Sequence, residues 1–509
     1  MVRCRSCFRM QRWALALGVS AALAVVALPA APARAFCGFF VAGSDAKLTN
    51  NASQVVLMRK GNRTVMTMSN NYQGPPQGFA MVVPVPVVLH KEDVRTLPAE
   101  VFDHVDSLSA PRLVEYWEQD PCARVSYGVE AEELMSAEGA SSPRRRKDLG
   151  VKVEARFVTG EYEVVILSAT ESSGLETWLR ENRYSIPAGA AAAMAPYVRD
   201  KSKFFVARVD IRKVRRDASG VVQLSPLRFS YDANELRLPV RLGLLNAGGK
   251  QDLIVYVVHP SSRFEVANYT NAFIPTNLEV GDGVRGAFPA FYAELFDAVI
   301  EKMGKRAVLT EYAWQTTSCD PCPVQPLSLD DLSTLGLDVL EGIGAAPEAP
   351  PPIGTGTNKP AVTARGARPP APPRFIGRPP SWVLTRLHTR YSPETLSEDL
   401  IFREAAPVVG GRGGGGIDQD TIATGTSGPN NFQARYIIRH YWTKPVACEK
   451  PRRGMWGGPA DAPFSAAPVS PAKGLAAAAR GTISLAKEVH SPVPLLGLKS
   501  PVAPRRRAK

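Results

Sequence analysis

The chain has 509 residues, 45% hydrophobic and 21% charged, with a formal net charge of +13. That length and apolar content support a folded body with a sizeable core and exclude a wholly disordered chain. The charge is unevenly placed: five arginines lie in residues 1–35, residues 450–509 carry +9, and residues 36–449 carry −1. A nucleic-acid-binding body, which needs a basic face on its folded part, is therefore excluded, and no nucleic acid is expected as a partner.

Arg3, Arg5, Arg9 and Arg12 precede an apolar run from Trp13 to Leu28, and Ala33-Arg34-Ala35 follows. This is the three-part layout of a secretory signal peptide over residues 1–35, with cleavage expected after Ala35. A retained anchor is the alternative, but a run of about 16 residues is short for a span. The frequent Ala, Arg, Gly and Pro suit a GC-rich bacterial genome, so export leads to the periplasm or the cell surface.

Residues 36–340 are expected to form the main globular domain, an α+β fold with a β-rich body of antiparallel or mixed sheet, several short packing helices and disulfide stabilisation. Gln54–Met58 and Thr64–Met68 read as strands around a Gly61-Asn62 hairpin turn. Phe79–Leu89 continues them, with Pro84 and Pro86 marking an edge strand or its exit. A helix is expected after Thr96, burying Val101, Val105 and Leu108. A second is expected from Pro111, burying Leu113, Val114 and Trp117. The polar stretch 130–149 reads as a surface loop.

Strict alternation makes Val151–Phe157 a half-buried strand, and Tyr162–Leu167 returns after Gly160. Ser173 and Glu176 fit a capping box for a helix burying Leu175, Trp178 and Leu179. A short Ala-rich helix near Ala188–Ala195 and strands at Phe205–Ile211, Leu236–Leu244 and Leu253–Val258 follow. Pro289–Met303 repeats its apolar residues at helical spacing and ends at Gly304. Arg306–Trp314 then returns as a strand.

Residues 341–380, dense in Pro, Gly and Ala, read as a linker. Within 381–449, Trp382–Tyr391 and Asn431–Tyr441 read as strands around a glycine-rich loop, in a unit too poor in apolar residues to fold alone and so expected to dock on the main domain. Residues 450–509 read as a disordered basic tail that offers itself to an anionic envelope polymer or a membrane surface.

Beyond the signal, the cysteines are Cys37, Cys122, Cys319, Cys322 and Cys448. In an oxidising compartment most should pair, leaving one free or intermolecular, and the sequence does not choose the partners. Asp-Pro-Cys recurs at Cys122 and Cys322, and Trp117 and Trp314 each stand five residues before a cysteine. Cys319-x-x-Cys322 is the strongest candidate for chemistry. Pro321, Pro323 and Pro326 prevent a helix from opening cleanly at Cys319, so structural bridges are preferred over redox activity. A zinc site lacks a second ligand pair, and no metal or cofactor is expected.

His90, His104, His259, His388 and His440 lie in no acyl-transfer motif, and Gly413–Gly416 lacks a phosphate-binding lysine. Asp330-Asp331 and Gly281-Asp282-Gly283 read as turns and caps rather than calcium sites. The loop Asn71-Tyr72-Gln73, with its amides, aromatic ring and flanking prolines, is a candidate binding loop against the plainer reading of a rigid surface loop.

Several motifs resemble one bacterial family. Phe36-Cys37-Gly38-Phe39-Phe40-Val41, Asn71-Tyr72-Gln73-Gly74-Pro75 with Phe79–Pro86, Gly174–Leu179 and Cys319-Asp320-Pro321-Cys322 are similar to the family catalogued as domain of unknown function 2330, over roughly residues 36–340. The resemblance implies export and carries no activity, substrate or catalytic residue. The expected role is binding or structural, in the cell envelope. The alternative is an extracytoplasmic enzyme, either a thiol-disulfide oxidoreductase using Cys319 and Cys322 or a hydrolase.

Overall fold

In the computed structural model, residues 39–41, 52–69, 80–122, 151–210, 212–216, 222–246, 250–341, 381–410, 423–424, 428–459, 466–469 and 478–499 are described, apart from 183, 185 and 187. The signal peptide, Cys37, the loop Asn71-Tyr72-Gln73, the stretch 130–149, residues 342–380 of the linker and Gly413–Gly416 lie outside them.

Five long strands form the middle of an eleven-stranded mixed sheet. They are β1 (Ala52–Lys60), β2 (Arg63–Ser69), β3 (Gln251–His259), β4 (Ala307–Gln315) and β5 (Val383–Tyr391), in the spatial order β4-β5-β3-β1-β2. Gly61, at φ 59°, makes the β1–β2 hairpin turn as its sequence predicts. β1 and β3 pair in parallel, and β5 is antiparallel to both β3 and β4.

One face of this sheet buries Val55, Leu57, Met66 and Val255 against Met81, Val83, Phe205 and Ile166 of a second, antiparallel sheet. The outer side of that second sheet carries the helices Ser172–Glu181 and Ala190–Arg199. The other face of the central sheet is covered by α1 (Glu100–Ser109), by the helical turns of 329–340 and by α2 (Phe288–Lys302). The layers are thus helix, sheet, sheet, helix, which confirms the expected β-rich α+β body. Pro84 pairs with Phe204 and lies beyond the described pairing of its strand with Phe39–Val41, which ends at Phe39↔Val82.

Some expectations change. The segment after Pro111 is a strand, Arg112–Glu118, paired in parallel with Arg435–His440. The pairing partner lies more than 300 residues away and overrides local helical spacing. Ser173 does not cap its helix. Glu171 is the N-cap residue, and Glu176 instead pairs with Arg180 one turn on at 2.6 Å. Leu236–Leu238 is strand, but the chain then turns into the 3-10 helix Arg241–Asn246.

The segment 381–449 does not form a separate docked unit. β5 lies between β3 and β4 in the central sheet, and Asn431–Gln433 extends the same sheet beyond β4. Nor are the described parts of 450–509 a disordered tail. Trp456–Gly457 and Ala466–Pro468 pair with Arg112–Glu118, and Val489 and Val493 are buried against α2. Each of these short elements gains its backbone partners from the body, a signal that composition does not carry.

Gly336, at φ 143°, lets the turns of 333–337 lie directly on β2. A Cβ there would meet Val65 Cγ1 at 2.7 Å and Cβ at 2.8 Å. Gly336→Ala is expected to cost about 1–3 kcal/mol, from backbone strain and overpacking together. Thermal unfolding unchanged from the parent protein would contradict that close approach.

Candidate functional site

Period-two alternation puts Arg386, His388 and Arg390 of β5 on one face of the central sheet. Asp252 and Tyr256 of β3 and Gln54 of β1 share that face, and Asp106 of α1 reaches it from above. The β4–β5 register shifts between Thr310 and Tyr312, so Glu311 is an extra, bulged residue aimed at the same cations.

The result is a continuous charge network, buried around Arg386 and His388 and open to solvent at its Asp297–Arg480 end. Arg386 donates through Nε to Glu311 at 2.6 Å and through Nη1 to Asp106 at 2.8 Å. His388 bonds Glu311 through Nδ1 at 2.6 Å and Asp252 through Nε2 at 3.0 Å. Arg390 holds both Asp252 oxygens, at 3.0 and 3.1 Å, and reaches Asp297 of α2 at 2.5 Å. Arg480, from the C-terminal segment, closes the chain on Asp297 at 3.0 Å.

Tyr256 donates to Asp106 at 2.7 Å and receives Gln54 at 2.9 Å, while the Tyr292 hydroxyl donates to Glu311. Arg386, His388, Glu311 and Asp252 are all 0% exposed. Because ionised carboxylates only accept, His388 donates from both nitrogens and is an imidazolium. Four carboxylates then face three arginines and one imidazolium, so the network is neutral as a whole. Phe296 stacks on the His388 ring at 4.0 Å and seals it from above.

Burial alone would push these carboxylates up. Glu311 nevertheless falls to about 2, because His388 and Arg386 outweigh its desolvation, and Asp252 is lowered by His388 and Arg390. Burial likewise opposes the charge on His388, but Glu311 and Asp252 raise it above its ordinary value. For the lowered carboxylates, stability is present above the unfolded value of 4.5 for Glu311 and is lost as pH falls toward about 2. The histidine term is fully present below 6.5 and is lost as pH rises through its raised folded value. Urea midpoints are therefore expected to peak between these limits and to fall on the acid side. A midpoint that stays flat from about pH 6 to about pH 3 would contradict the linkage.

A cleft of about 650 Å³ opens elsewhere, between the second sheet and the β2 side of the central one. Its floor is Pro84, Pro86, Val87 and Tyr231, and its rim carries Asp200, Asp232, Glu235 and Arg237. Arg237 pairs with Glu235 at 2.7 Å and with Asp200 at 3.6 Å. The rim thus has a carboxylate excess beside an apolar floor, a lining suited to hydroxyl-bearing or cationic ligands. The strand exit singled out by its prolines does line this cleft. Nothing in the local sequence marks Tyr231, Asp232 and Glu235, which come from the strand Leu227–Asp232 and the turn that carries the chain from it into another sheet at Leu236.

The cysteines resolve into two bridges. Cys122 joins Cys448 across a sequence separation of 326, and Cys319 joins Cys322. The first ties together the chain beyond the C-terminal ends of two paired strands, Arg112–Glu118 and Arg435–His440. The second closes a surface turn, with Trp314 bonding Ser318 through Nε1 at 3.2 Å.

Three other histidines take local roles. His440 stacks on Trp117 at 4.5 Å and bonds Glu115, and His104 pairs with Asp331 at 3.1 Å. His259 accepts from the Ser262 amide, and Asp331 forms a capping box with Ser328. Asp282 pairs with Arg285. Among the described residues no cluster of three or more His, Cys, Asp or Glu could hold a metal ion, and no helix is long and apolar enough to cross a membrane.

Residues 31–403 match the model of a bacterial family described as an uncharacterized protein conserved in bacteria, domain of unknown function 2330. The match runs past residue 340 and takes in β5, which lies between β3 and β4 in the central sheet. No curated protein and no solved structure matches the chain.

Proposed function

The chain belongs to the family of domain of unknown function 2330, and from that premise we propose that it is an exported cell-envelope protein with a binding role centred on the cleft. The observation that carries export is the Cys122–Cys448 bridge, which joins distant parts of the chain and persists only where thiols are not kept reduced. The arginine-rich start and the Ala33-Arg34-Ala35 site agree with it. The periplasm and the cell surface are the two destinations.

Cell fractionation with thiol alkylation of the denatured, unreduced protein tests this. The expected result is an extracytoplasmic protein in which Cys37 alone is labelled. Cytoplasmic protein with its four bridged cysteines alkylated would overturn the proposal.

The binding role is supported by the cleft's volume and mixed lining. Its ligand would be a saccharide or peptide fragment of the envelope, whose hydroxyl and ammonium groups the rim carboxylates accept. Asp232 and Glu235 side chains are 71% and 46% exposed, so Asp232→Asn with Glu235→Gln should leave the fold intact. In calorimetric titration with such fragments, this variant is expected to bind about tenfold more weakly. Unchanged affinity would remove the cleft from the proposal.

The basic tail offers a separate contact with anionic polymer or lipid headgroups. Arg453, Arg480 and Lys487 already pair with Glu118, Asp297 and Glu488. Any such contact therefore falls to the other cations of this segment, Lys450, Arg452, Lys473 and Lys499 and the terminal cluster Arg505, Arg506, Arg507 and Lys509.

A further inference from the structure

The two bridges differ in what they do for the fold. Cys122–Cys448 links separate strands, but Cys319–Cys322 spans a sequence separation of only three. A ring that small removes little freedom from the unfolded chain, so it contributes little as a staple.

The turn is also held without it. Its neck is closed where the Leu327 amide donates to the Thr316 carbonyl at 3.1 Å and the Thr316 amide donates to Trp382 at 2.7 Å. Its floor is held by Arg112, which is 0% exposed and donates through Nη1 to the Pro321 carbonyl at 2.7 Å, between the two cysteines. The same guanidinium donates to the carbonyls of Leu108 and Ala110 at the end of α1. Opening the bridge would leave all of these contacts in place.

The two sulfurs are not equivalent. Cys322 is exposed, whereas Cys319 is half-buried against the cluster that contains Trp314 and Leu327. No helix begins at Cys319, so no helix dipole acts there. The buried Arg112 guanidinium bonds the peptide between the two cysteines and also interacts with the Asp320 carboxylate beside Cys319, so the inequality of the pair rests on exposure: Cys322 is the sulfur a partner can reach.

We propose that Cys319 and Cys322 form a thiol–disulfide exchange site that takes electrons from dithiols of extracytoplasmic proteins, with Cys322 the sulfur that is attacked. A partner thiolate attacks Cys322 Sγ, forming a partner–Cys322 disulfide and expelling Cys319 as a thiolate. The partner's second thiolate then attacks its own sulfur in that mixed disulfide and releases Cys322. The partner dithiol loses two electrons and two protons to become a disulfide, and Cys319 and Cys322 end as two thiols. The reverse direction reduces a partner disulfide. This site is separate from the cleft and does not depend on the binding role.

The test uses the full chain in native buffer with mixtures of reduced and oxidised glutathione, followed by acid quenching, alkylation and peptide mass mapping. The Cys319–Cys322 bridge is expected to open and close reversibly while Cys122–Cys448 stays intact. With oxidised glutathione, Cys319→Ser is expected to collect glutathione on Cys322 at least tenfold faster than Cys322→Ser collects it on Cys319. With dithiothreitol, the parent protein should accelerate insulin reduction, and the double serine variant should not. A bridge that stays closed until the protein unfolds would overturn the proposal, as would equal labelling of the two variants or insulin reduction at the uncatalysed rate. The titration of the parent protein decides the matter even if a serine variant fails to fold.

Discussion

Arg386→Met is expected to lower stability by about 3–5 kcal/mol, read as a lower urea midpoint with little change in slope. The loss does not measure the strength of an ion pair in isolation. Two charges taken out of water lose hydration, and their mutual attraction roughly restores it. Removing Arg386 leaves Glu311 and Asp106 buried without their shared cation, and both side chains have almost no access to water. The position therefore matters because of what would remain behind.

Arg386→Lys supplies the internal control. The guanidinium serves Glu311 through Nε and Asp106 through Nη1, on two different sides, and a single ammonium cannot reproduce that fork. Its expected loss is intermediate. If both variants stay within about 1 kcal/mol of the parent, the network is not what holds α1, β4 and β5 together.

That network shows where sequence reasoning stops. β5 reads Val-Leu-Thr-Arg-Leu-His-Thr-Arg-Tyr, and its cations at period two look like a solvated face. The structure places the strand between β3 and β4, where nothing is solvated. Its counter-charges are single acids in otherwise apolar strands, Glu311 at a sequence distance of 75 and Asp252 at 136. An isolated acid in a buried strand is a legible signal, because it demands a partner. The identity of that partner depends on strand order, which local pattern does not encode.

Elements whose burial is set by their own periodicity were legible. The hairpin at Gly61, the helix Phe288–Lys302 and the strand at Val151 all appear close to their expected limits. Elements stabilised from outside were not. Leu113, Val114 and Trp117 fit a helical face as well as a strand, and the parallel partner at Arg435–His440 decides between them. The C-terminal segment lacks any periodic pattern, yet Val489 and Val493 find places against α2 that were already shaped by Phe288, Tyr292 and Phe296. In the cleft, the prolines of one strand were visible as a rigid exit. The facing carboxylates come from the end of a helix, Asp200, and from a crossing between two sheets, Asp232 and Glu235, whose approach is a property of the packed layers.

Breaking the long-range bridge is the second large effect. Cys448→Ser is expected to cost about 2–5 kcal/mol, and Cys122→Ser the same, since each removes one bond from the unfolded ensemble. The separation of 326 places most of the fold inside the closed loop, so the unfolded chain gains far more freedom here than at Cys319–Cys322. The bridge also clamps the chain just beyond two strands whose ladder runs only from Arg112↔Arg435 to His440↔Trp117. Losing it should release the segment from Trp442 to Trp456 first, which hydrogen exchange would report as faster exchange there than in β3 or β5. The double variant Cys122→Ser with Cys448→Ser should be no less stable than the worse single variant, because both substitutions break the same bond. Additive losses, or peptide mapping that pairs Cys122 with Cys37, would show that the fold is tied differently.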